Sequence, residues 1–141
     1  MSLALPEMVC FALYSAAHAM QAAYKPLLAP LGLTYPQYLV LTALWAQDSQ
    51  TVGALGRAMR LESNTLTPLL KRMQGQGLIT RSRDGLDERQ VRVALTEAGR
   101  AMQDRAAHIP ACIVERSGMT LDELSALRDA AAGLRDRIDR A

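Results

Sequence analysis

The sequence of 141 residues predicts a mainly helical fold with a small β-wing, in the α+β class. Within residues 51–96 the hydrophobic period changes from helical to strand-like, which indicates helices followed by a hairpin. Ala, Leu and Met dominate the composition and aromatic residues contribute 4% of it, a balance that favours helix packing over a β-sandwich. Capping signals and apolar stripes predict further helices on both sides of this segment.

The first helix is predicted from Pro6, which suits a first turn, to about Tyr24. Residues 8–24 carry no formal charge, but polar residues interrupt them, no basic segment precedes them and Pro26 ends the apolar run. A membrane span needs about 20 apolar residues and an export signal needs a basic start. We therefore expect neither, and we expect a cytoplasmic protein.

A second helix is predicted after Thr34, because Thr34 and Gln37 have the spacing of a capping box. This helix continues through Trp45, which we expect to pack in the core.

Two more helices, separated by a short turn, are predicted between Thr51 and Gly77. In the first, Val52, Leu55 and Met59 have helical spacing. In the second, apolar residues at i, i+3, i+4 and i+7 define a buried face: Leu66, Leu69, Leu70 and Met73. The residues away from that face are short polar groups and two cations, types that read DNA grooves: Asn64, Thr65, Thr67, Lys71 and Arg72.

A two-stranded wing is predicted after Gly77, which suits a left-handed cap at the end of the second of these helices. The first strand is ITRSR and the second is QVRVAL, in which apolar residues alternate with others. Between the strands an Asp84-Gly85 pair begins a turn, and the loop then holds residues 87–89. This order of elements is that of a winged helix-turn-helix.

The C-terminal part predicts two long helices. The first runs from about Glu97 to Ser117, with Pro110 kinking it and Gly118 ending it. Thr120 and Glu123 form a capping box at the start of the second. That last helix carries an apolar stripe with a period close to 3.5 residues: Leu121, Leu124, Leu127, Ala131, Leu134 and Ile138.

The apolar faces of these helices are too many to be buried against a winged module of about 45 residues. We therefore expect a single domain over residues 1–141, in which the winged helix-turn-helix at 51–96 lies between dimerisation helices at 1–47 and 97–141. In an intertwined homodimer these helices interleave with their copies. The winged helix-turn-helix of each subunit, residues 51–96, is called its reading head, and the two reading heads then bind a palindromic double-stranded DNA site.

Positive charge is concentrated on the predicted reading head. The whole chain has a net charge of +2, but residues 57–92 hold eight Lys or Arg against four acids. The segments before and after, residues 1–56 and 93–141, each carry a net charge of −1. Neutralising phosphates releases counterions, so this distribution favours salt-dependent DNA binding over an ordinary α+β module with a basic surface.

The two cysteines, Cys10 and Cys112, are isolated, and such residues are by default buried apolar side chains. All four tyrosines, however, fall between residues 14 and 38, and a phenol that donates to a thiolate lowers the pKa of the thiol. Tyr24 lies 14 residues after Cys10, roughly 21 Å along one helix. They meet only if a partner subunit brings them together, whereas Tyr14 lies one turn after Cys10.

A metal site is formally possible from Cys10, His18, His108 and Cys112. Pro110 disturbs the helix that would align the last two, and the sequence has no closely spaced cysteine pair. We expect no metal and no cofactor.

The chain resembles the MarR family of transcription regulators, and within it the organic-hydroperoxide-resistance regulator (OhrR) branch, over about residues 8–140. The matching segments are FALYSAAHAM, AYKPLLAPLGLTYPQYLVLTALW, NTLTPLLKRM, GLITR and DERQVRVALTEAGR. The DERQV wing and the TLTPLLKR helix are specific to the family, and Cys10 together with Tyr24 and Tyr35 is specific to the peroxide-sensing branch.

The resemblance implies a repressor that leaves its operator when an organic hydroperoxide oxidises Cys10. It makes Cys10 the peroxidatic thiol, held by Tyr24 and Tyr35 of the opposite subunit with Tyr14 nearby. Two-cysteine members form an intersubunit disulfide, which here joins Cys10 to Cys112, while one-cysteine members use a small thiol instead. Cys112 as an inert core residue is the alternative.

The resemblance also implies that Asp87 and Arg89 brace the wing, with Arg89 in the minor groove. Asn64 can pair with adenine and the methyl group of Thr65 or Thr67 can contact thymine, which together with a minor-groove Arg89 predicts an AT-rich palindrome. The expected DNA-binding residues are Asn64, Thr65, Thr67, Lys71, Arg72, Arg83, Asp87 and Arg89.

Three other functions remain open. One is a MarR-type repressor released by a small phenolic or lipophilic ligand, with incidental cysteines. A thiol peroxidase is another, although the basic wing and the lack of a βαβ pattern oppose it, and we do not expect an enzyme. The third is a structural nucleoid protein, which would show little sequence preference.

Overall fold

The structure is a computed structural model that describes residues 1–87 and 89–141. Glu88, predicted on the wing loop, lies outside the described residues. As predicted, the fold is mainly helical with a small sheet. The helices are α1 (Val9–Leu28), α2 (Tyr35–Ala46), α3 (Val52–Met59), α4 (Ser63–Gly75), α5 (Glu97–Arg105), α6 (Ile109–Ser117) and α7 (Leu121–Arg140). The strands are β1 (Gln50–Thr51), β2 (Ile79–Arg83) and β3 (Val91–Leu95).

The chain divides into two compact units, Met1–Ala107 and His108–Ala141. The first unit contains α1–α5 and the sheet, and the second contains α6 and α7. The single domain over residues 1–141, with dimerisation helices at 1–47 and 97–141, stays a prediction.

Two capping boxes confirm the predicted starts of α2 and α7. The backbone N–H of Gln37 donates to Thr34 Oγ1 at 3.4 Å, and the N–H of Thr34 donates to Gln37 Oε1 at 3.1 Å. Thr120 and Glu123 make the same reciprocal pair, with both distances 3.1 Å. Each box satisfies backbone donors that a helix leaves without partners in its first turn.

The sheet has three strands in the order β1-β3-β2, all antiparallel, so it contains the predicted two-stranded wing and one strand that was not predicted. β2 and β3 form the predicted hairpin, with Ile79 opposite Leu95 and Arg83 opposite Val91. The additional strand, Gln50–Thr51, pairs with the other edge of β3. Two residues are too few to show an alternating pattern, and for that reason the sequence did not reveal this strand.

The core of the first unit is formed by α2, α3, α4, α5 and the wing strands, which pack against one another. Trp45, expected in the core, is half-buried, and its indole Nε1 donates to the carbonyl oxygen of Gly99 at 2.9 Å. The most deeply buried side chains of this unit are Leu28, Val40, Leu41, Leu44, Leu55, Leu66, Leu70, Met73, Ile79 and Val93.

Two helix boundaries near prolines differ from the prediction. Pro6 lies in a short 3₁₀ helix, and α1 begins only at Val9 and continues through Pro26 to Leu28. The long helix predicted over Glu97–Ser117 is two helices, because Pro110 lies in the first turn of α6 instead of kinking a continuous helix. A proline fits a first turn because the N–H that it lacks has no helical partner there.

Glycines end elements where the sequence predicted it. Gly77, after α4, has φ of 77°, and Gly118, after α6, has φ of 66°. In the second unit Ile109 and Ile113 of α6 are buried, whereas no residue of α7 is. The predicted stripe of α7 is therefore unburied in one chain, with Leu121, Leu127 and Ile138 exposed.

Candidate DNA interface and redox site

Helix α4 presents the polar face that its sequence predicts. Leu66, Leu69, Leu70 and Met73 are buried at intervals of one turn, which fixes the rotation of the helix. On its outer face Asn64, Thr65, Lys71 and Arg72 are exposed and Thr67 is half-buried. A helix with this division can enter a major groove, where amide, hydroxyl and cationic side chains pair with base edges.

A groove of about 370 Å³ lies beside α4, between the start of α3 and the wing. Three guanidinium groups line it, those of Arg57, Arg81 and Arg89. The other lining residues carry no charge: Thr51, Val52, Gly53, Ser63, Thr67, Gln90 and Val91. The groove is thus a cationic surface that continues from α4 to the wing.

Arg57 and Arg81 were not among the predicted DNA-binding residues. Arg81 is oriented by Gln74, whose Oε1 accepts a hydrogen bond from its Nε at 2.8 Å. Among the described residues, Arg57 makes neither a hydrogen bond nor an ion pair. The charge count of residues 57–92 included both, but spacing alone did not show that they share a groove.

The tip of the wing brings Asp87 and Arg89 together. Asp87 Oδ1 accepts hydrogen bonds from the backbone N–H of Arg89 at 3.0 Å and from its Nε at 3.4 Å. The Arg89 side chain is 93% exposed, so its guanidinium stands out from the protein. Arg83, the remaining predicted DNA-binding residue, is exposed at the end of β2, opposite Val91.

The start of the wing turn contains a buried carboxylate that the sequence did not reveal. Asp84 is buried, and its Oδ2 accepts a hydrogen bond from Arg92 Nη2 at 3.2 Å. Its Oδ1 accepts another from the backbone N–H of Leu86 at 3.2 Å. These bonds, first that of Leu86 and then that of Arg92, lower the pKa of Asp84 from its ordinary value.

The two cysteines are both free thiols. Cys10 is exposed at the second residue of α1 in the first unit, and Cys112 is half-buried in α6 in the second unit. The expectation that isolated cysteines are buried does not hold for Cys10. An exposed thiol is accessible to an oxidant in solution.

The predicted tyrosines form a cluster between α1 and α2. The ring centroids of Tyr24 and Tyr35 are 4.9 Å apart, and those of Tyr24 and Tyr38 are 5.7 Å apart. Tyr38 also contacts the Trp45 ring edge-on at 6.2 Å. Tyr14 lies outside this cluster and stacks on His18 at 4.4 Å.

Burial raises the pKa of Tyr24, Tyr35 and Tyr38 above the ordinary tyrosine value. For Tyr24 the neighbouring Tyr35 and Tyr38 raise it further, because two phenolates would repel each other. At neutral pH these phenols therefore stay protonated and can donate hydrogen bonds. Within one chain Tyr24 cannot reach Cys10, because both lie on the straight course of α1, roughly 21 Å apart.

A second groove, of about 410 Å³, lies between α1 and the start of α2. Its walls are mostly apolar, with Lys25 as its charged residue and Tyr35 on one side. The other residues that line it are Gln21, Ala22, Leu28, Ala29, Leu33, Thr34 and Pro36.

The residues weighed as metal ligands are divided between the units, with Cys10 and His18 in the first and His108 and Cys112 in the second. Across residues 1–87 and 89–141, no three His, Cys, Asp or Glu side chains are grouped so that they could hold a metal ion.

No single helix in the described part of the chain is long and apolar enough to cross a membrane. By length and composition alone, Val9–Leu31 and Tyr35–Ala46 would suffice together, but they are bent by 75° at the break between them.

Comparison with known proteins places this chain among transcription regulators. Residues 22–106 match the family described as transcriptional regulator SarA/Rot. The chain is 47% identical over 134 residues to the HTH-type transcriptional regulator TtmR of Methylorubrum extorquens, covering 95% of this chain and 69% of TtmR. It is 45% identical over 126 residues to the organic hydroperoxide resistance transcriptional regulator of Bacillus subtilis, covering 89% of this chain and 86% of that protein.

Among solved structures, the fold is similar to that of reduced AbfR bound to DNA. The TM-score is 0.79 at 33% identity, over 92% of this chain and 90% of the AbfR chain. A disulfide-formed structure of AbfR has a TM-score of 0.63 at 32% identity, over 94% of this chain and 88% of that chain.

Proposed function

The chain belongs to the MarR family of winged-helix transcription regulators. We propose that it is a repressor that senses organic hydroperoxides through Cys10. The observation that carries the proposal is the contact between Tyr24 and Tyr35, which gathers two neutral phenols from two helices. Tyrosine hydroxyls of this kind are suitable donors to a thiolate. The relative from B. subtilis, named for organic hydroperoxide resistance, supports the same function.

DNA is bound by the outer face of α4 and by the wing. Asn64 pairs with adenine, the methyl groups of Thr65 or Thr67 contact thymine, and Lys71 or Arg72 takes guanine or phosphate. Arg89, exposed at the tip of the wing, enters the minor groove, while Asp87 orients it. Arg83, together with Arg57 and Arg81 of the groove beside α4, neutralises phosphates.

The functional form is a homodimer. Helix α1 leaves large apolar side chains exposed, among them Val9, Phe11, Leu13 and Met20. A monomer seldom leaves so continuous an apolar surface in water, and a second copy of the chain covers it. The same association brings Tyr24 and Tyr35 of one subunit to Cys10 of the other, which α1 cannot do within one chain. Two reading heads then engage successive major grooves of an AT-rich palindrome.

Oxidation proceeds in two balanced steps. The Cys10 thiolate, stabilised by hydrogen bonds from Tyr24 and Tyr35 with Tyr14 nearby, attacks the terminal oxygen of the hydroperoxide. The O–O bond breaks, the alkoxide takes a proton and leaves as an alcohol, and sulfur is oxidised by two electrons to sulfenic acid. The thiol of Cys112 of the second subunit then attacks that sulfur, a disulfide forms and water leaves.

The disulfide changes how the two subunits are placed. It requires Cα atoms within about 7 Å of each other, so its formation moves the segments that carry Cys10 and Cys112. The reading heads are displaced from successive major grooves, and affinity falls because both half-sites are no longer contacted together. The apolar residues next to Cys10 in the sequence, Val9 and Phe11, are exposed and favour organic hydroperoxides over hydrogen peroxide.

Non-reducing gel electrophoresis after one equivalent of lipid hydroperoxide tests the chemistry. We expect a band of dimer size that disappears in both Cys10→Ser and Cys112→Ser. Without the band, a sulfenic acid trapped on Cys10 by dimedone would indicate that a small thiol completes the switch. An unmodified Cys10 would refute peroxide sensing, and repeated turnover of peroxide with a reductant would indicate a thiol peroxidase.

The groove between α1 and α2 favours a second function, a repressor released by a small phenolic or lipophilic ligand. Its volume of about 410 Å³ and its mostly apolar walls suit such a molecule. In that case the cysteines are incidental, and Cys10→Ser should respond to the inducer as the wild type does.

A further inference from the structure

One side chain links the start of the wing turn to the turn that follows α2. Arg92, in β3, donates from Nη1 to the carbonyl oxygen of Ser49 at 2.6 Å. It also donates from Nη2 to Asp84 Oδ2 at 3.2 Å. The two ends of the guanidinium fork thus hold two segments that are far apart in the sequence.

The Ser49 end of this link lies in a turn that hydrogen bonds hold in place. Ser49 has φ of 57°, a left-handed conformation that residues other than glycine adopt only where the surroundings impose it. Its N–H donates to Asp48 Oδ1 at 2.7 Å, and the same oxygen accepts from the backbone N–H of Leu95 at 2.9 Å. The carbonyl group of Ser49 is therefore fixed in position relative to β3.

The Asp84 side is the point where the wing turn begins. Its backbone N–H donates to the carbonyl oxygen of Gln90 at 2.8 Å, which closes the turn. Its carboxylate accepts hydrogen bonds from the backbone N–H of Leu86 and from the Arg92 guanidinium. The Asp84 side chain is 10% exposed and that of Arg92 is 35% exposed, so this ion pair is better shielded from water than an ordinary surface pair.

We propose that Arg92 is a positioning residue of the DNA-binding site, which sets the direction of the wing without contacting DNA. The proposal rests on the proposed DNA binding by α4 and the wing. With both ends of its fork engaged, Arg92 connects Asp84 to the turn that follows α2. That turn leads through β1 into α3, which packs on α4, and so the turn that carries Arg89 has a fixed direction relative to α4. A lysine cannot replace it, because an ammonium group lacks the planar fork that reaches both oxygens.

DNA affinity measured over a range of salt concentrations separates positioning from phosphate contact. The probe is a duplex that the wild-type protein selects from a random pool. For Arg92→Lys and Asp84→Asn we expect affinity to fall about tenfold at every salt concentration, with an unchanged salt slope. Each variant breaks the link between Ser49 and Asp84, Arg92→Lys by removing the fork and Asp84→Asn by removing its ion pair, but neither removes a phosphate contact. For the comparison variant Arg57→Ala we expect a slope smaller by about one.

Ser49→Gly is the matched control, because it keeps the carbonyl group and favours positive φ. It should bind DNA like the wild type. The proposal is overturned if Arg92→Lys retains full affinity, or if it lowers the salt slope as Arg57→Ala does.

Hydrogen exchange tests the same link without DNA. The link between Ser49 and Asp84 can therefore be tested even if the proposed function is wrong. In Arg92→Lys the amides of the wing turn and of β2 should exchange about tenfold faster, while those of α7 should not change. Equal exchange in the variant and the wild type would refute the link. Absence of selective DNA binding by the wild type, with faster exchange in the variant, would refute only the proposed function.

Discussion

The rings of Tyr24 and Tyr35 lie 4.9 Å apart, with an angle of 56° between their planes, although they belong to different helices. Their contact joins the end of α1 to the start of α2. Burial raises the pKa of both phenols, so both keep their protons at neutral pH. In the proposed dimer this pair is the donor group for the Cys10 thiolate of the other subunit.

Removing either hydroxyl should make Cys10 less reactive. In Tyr24→Phe and Tyr35→Phe the thiolate loses a hydrogen bond, so oxidation of Cys10 by cumene hydroperoxide at neutral pH should slow by about tenfold. The rate of Cys10 oxidation, followed by mass spectrometry of the intact protein, measures the effect.

Tyr38→Phe is the control, since Tyr38 packs on Tyr24 but is not proposed to hold the thiolate. If all three variants slow oxidation equally, the effect comes from ring packing, and a specific role of the two hydroxyls is excluded.

Loss of the exposed guanidinium at the wing tip should weaken binding to every DNA sequence. Arg89→Ala removes a side chain that is 93% exposed, so the free energy of unfolding should change by less than about 0.5 kcal/mol. Affinity for the selected operator and for unrelated DNA should both fall, measured by fluorescence anisotropy. Arg137→Ala, on α7, makes the same change of charge and should have little effect. Unchanged affinity in Arg89→Ala would count against the wing assignment.

Gly99 allows α5 to approach the start of β2 closely. A Cβ atom at this position would collide with the carbonyl oxygen of Leu78 and crowd the Leu95 side chain. Gly99→Ala should lower the free energy of unfolding by about 1–3 kcal/mol, measured in urea. Gly133→Ala, in α7 with no atom within 4 Å of the new Cβ, should instead raise stability by about 0.5–1 kcal/mol. If Gly99→Ala and Gly133→Ala changed the free energy of unfolding equally, the close approach of α5 to Leu78 would be refuted.

The lowered pKa of Asp84 predicts how the wing responds to acid. A carboxylate whose pKa is lower in the folded protein stabilises the fold above its unfolded pKa and loses that contribution as pH falls through the folded value. The stability difference between the wild type and Asp84→Asn should therefore be constant above about pH 5 and shrink below about pH 4. Urea unfolding at several pH values measures it, and a difference that already changes between neutral pH and pH 5 would contradict the assignment.

The sequence was sufficient for elements whose signals are local. The period of α4 predicted its buried and outer faces, and the capping boxes predicted the starts of α2 and α7. The two-residue strand β1 was missed because it is defined by pairing with β3 and not by its own pattern. The predicted kink at Pro110 was wrong, because a proline in the sequence is compatible both with a kink and with the first turn of a new helix.

The contacts of the site that could not be predicted join segments that are distant in the sequence. Arg92 and Ser49 are 43 positions apart, so no spacing rule connects them, and Asp84 was predicted as a turn residue without its ion pair. Arg57 and Arg81 were counted as charges but could not be assigned to one groove. The clustering of Tyr24 and Tyr35 was expected only because the family resemblance named both.

Oxidation of Cys10 should lower DNA affinity, and a single titration tests this most directly. Fluorescence anisotropy with the selected operator is measured for the wild type and for Cys10→Ser, before and after one equivalent of cumene hydroperoxide. We predict that the wild type loses affinity by at least about tenfold and recovers it with dithiothreitol, while Cys10→Ser binds equally before and after. A wild type that keeps its affinity, or a Cys10→Ser variant that loses it, would contradict the claim.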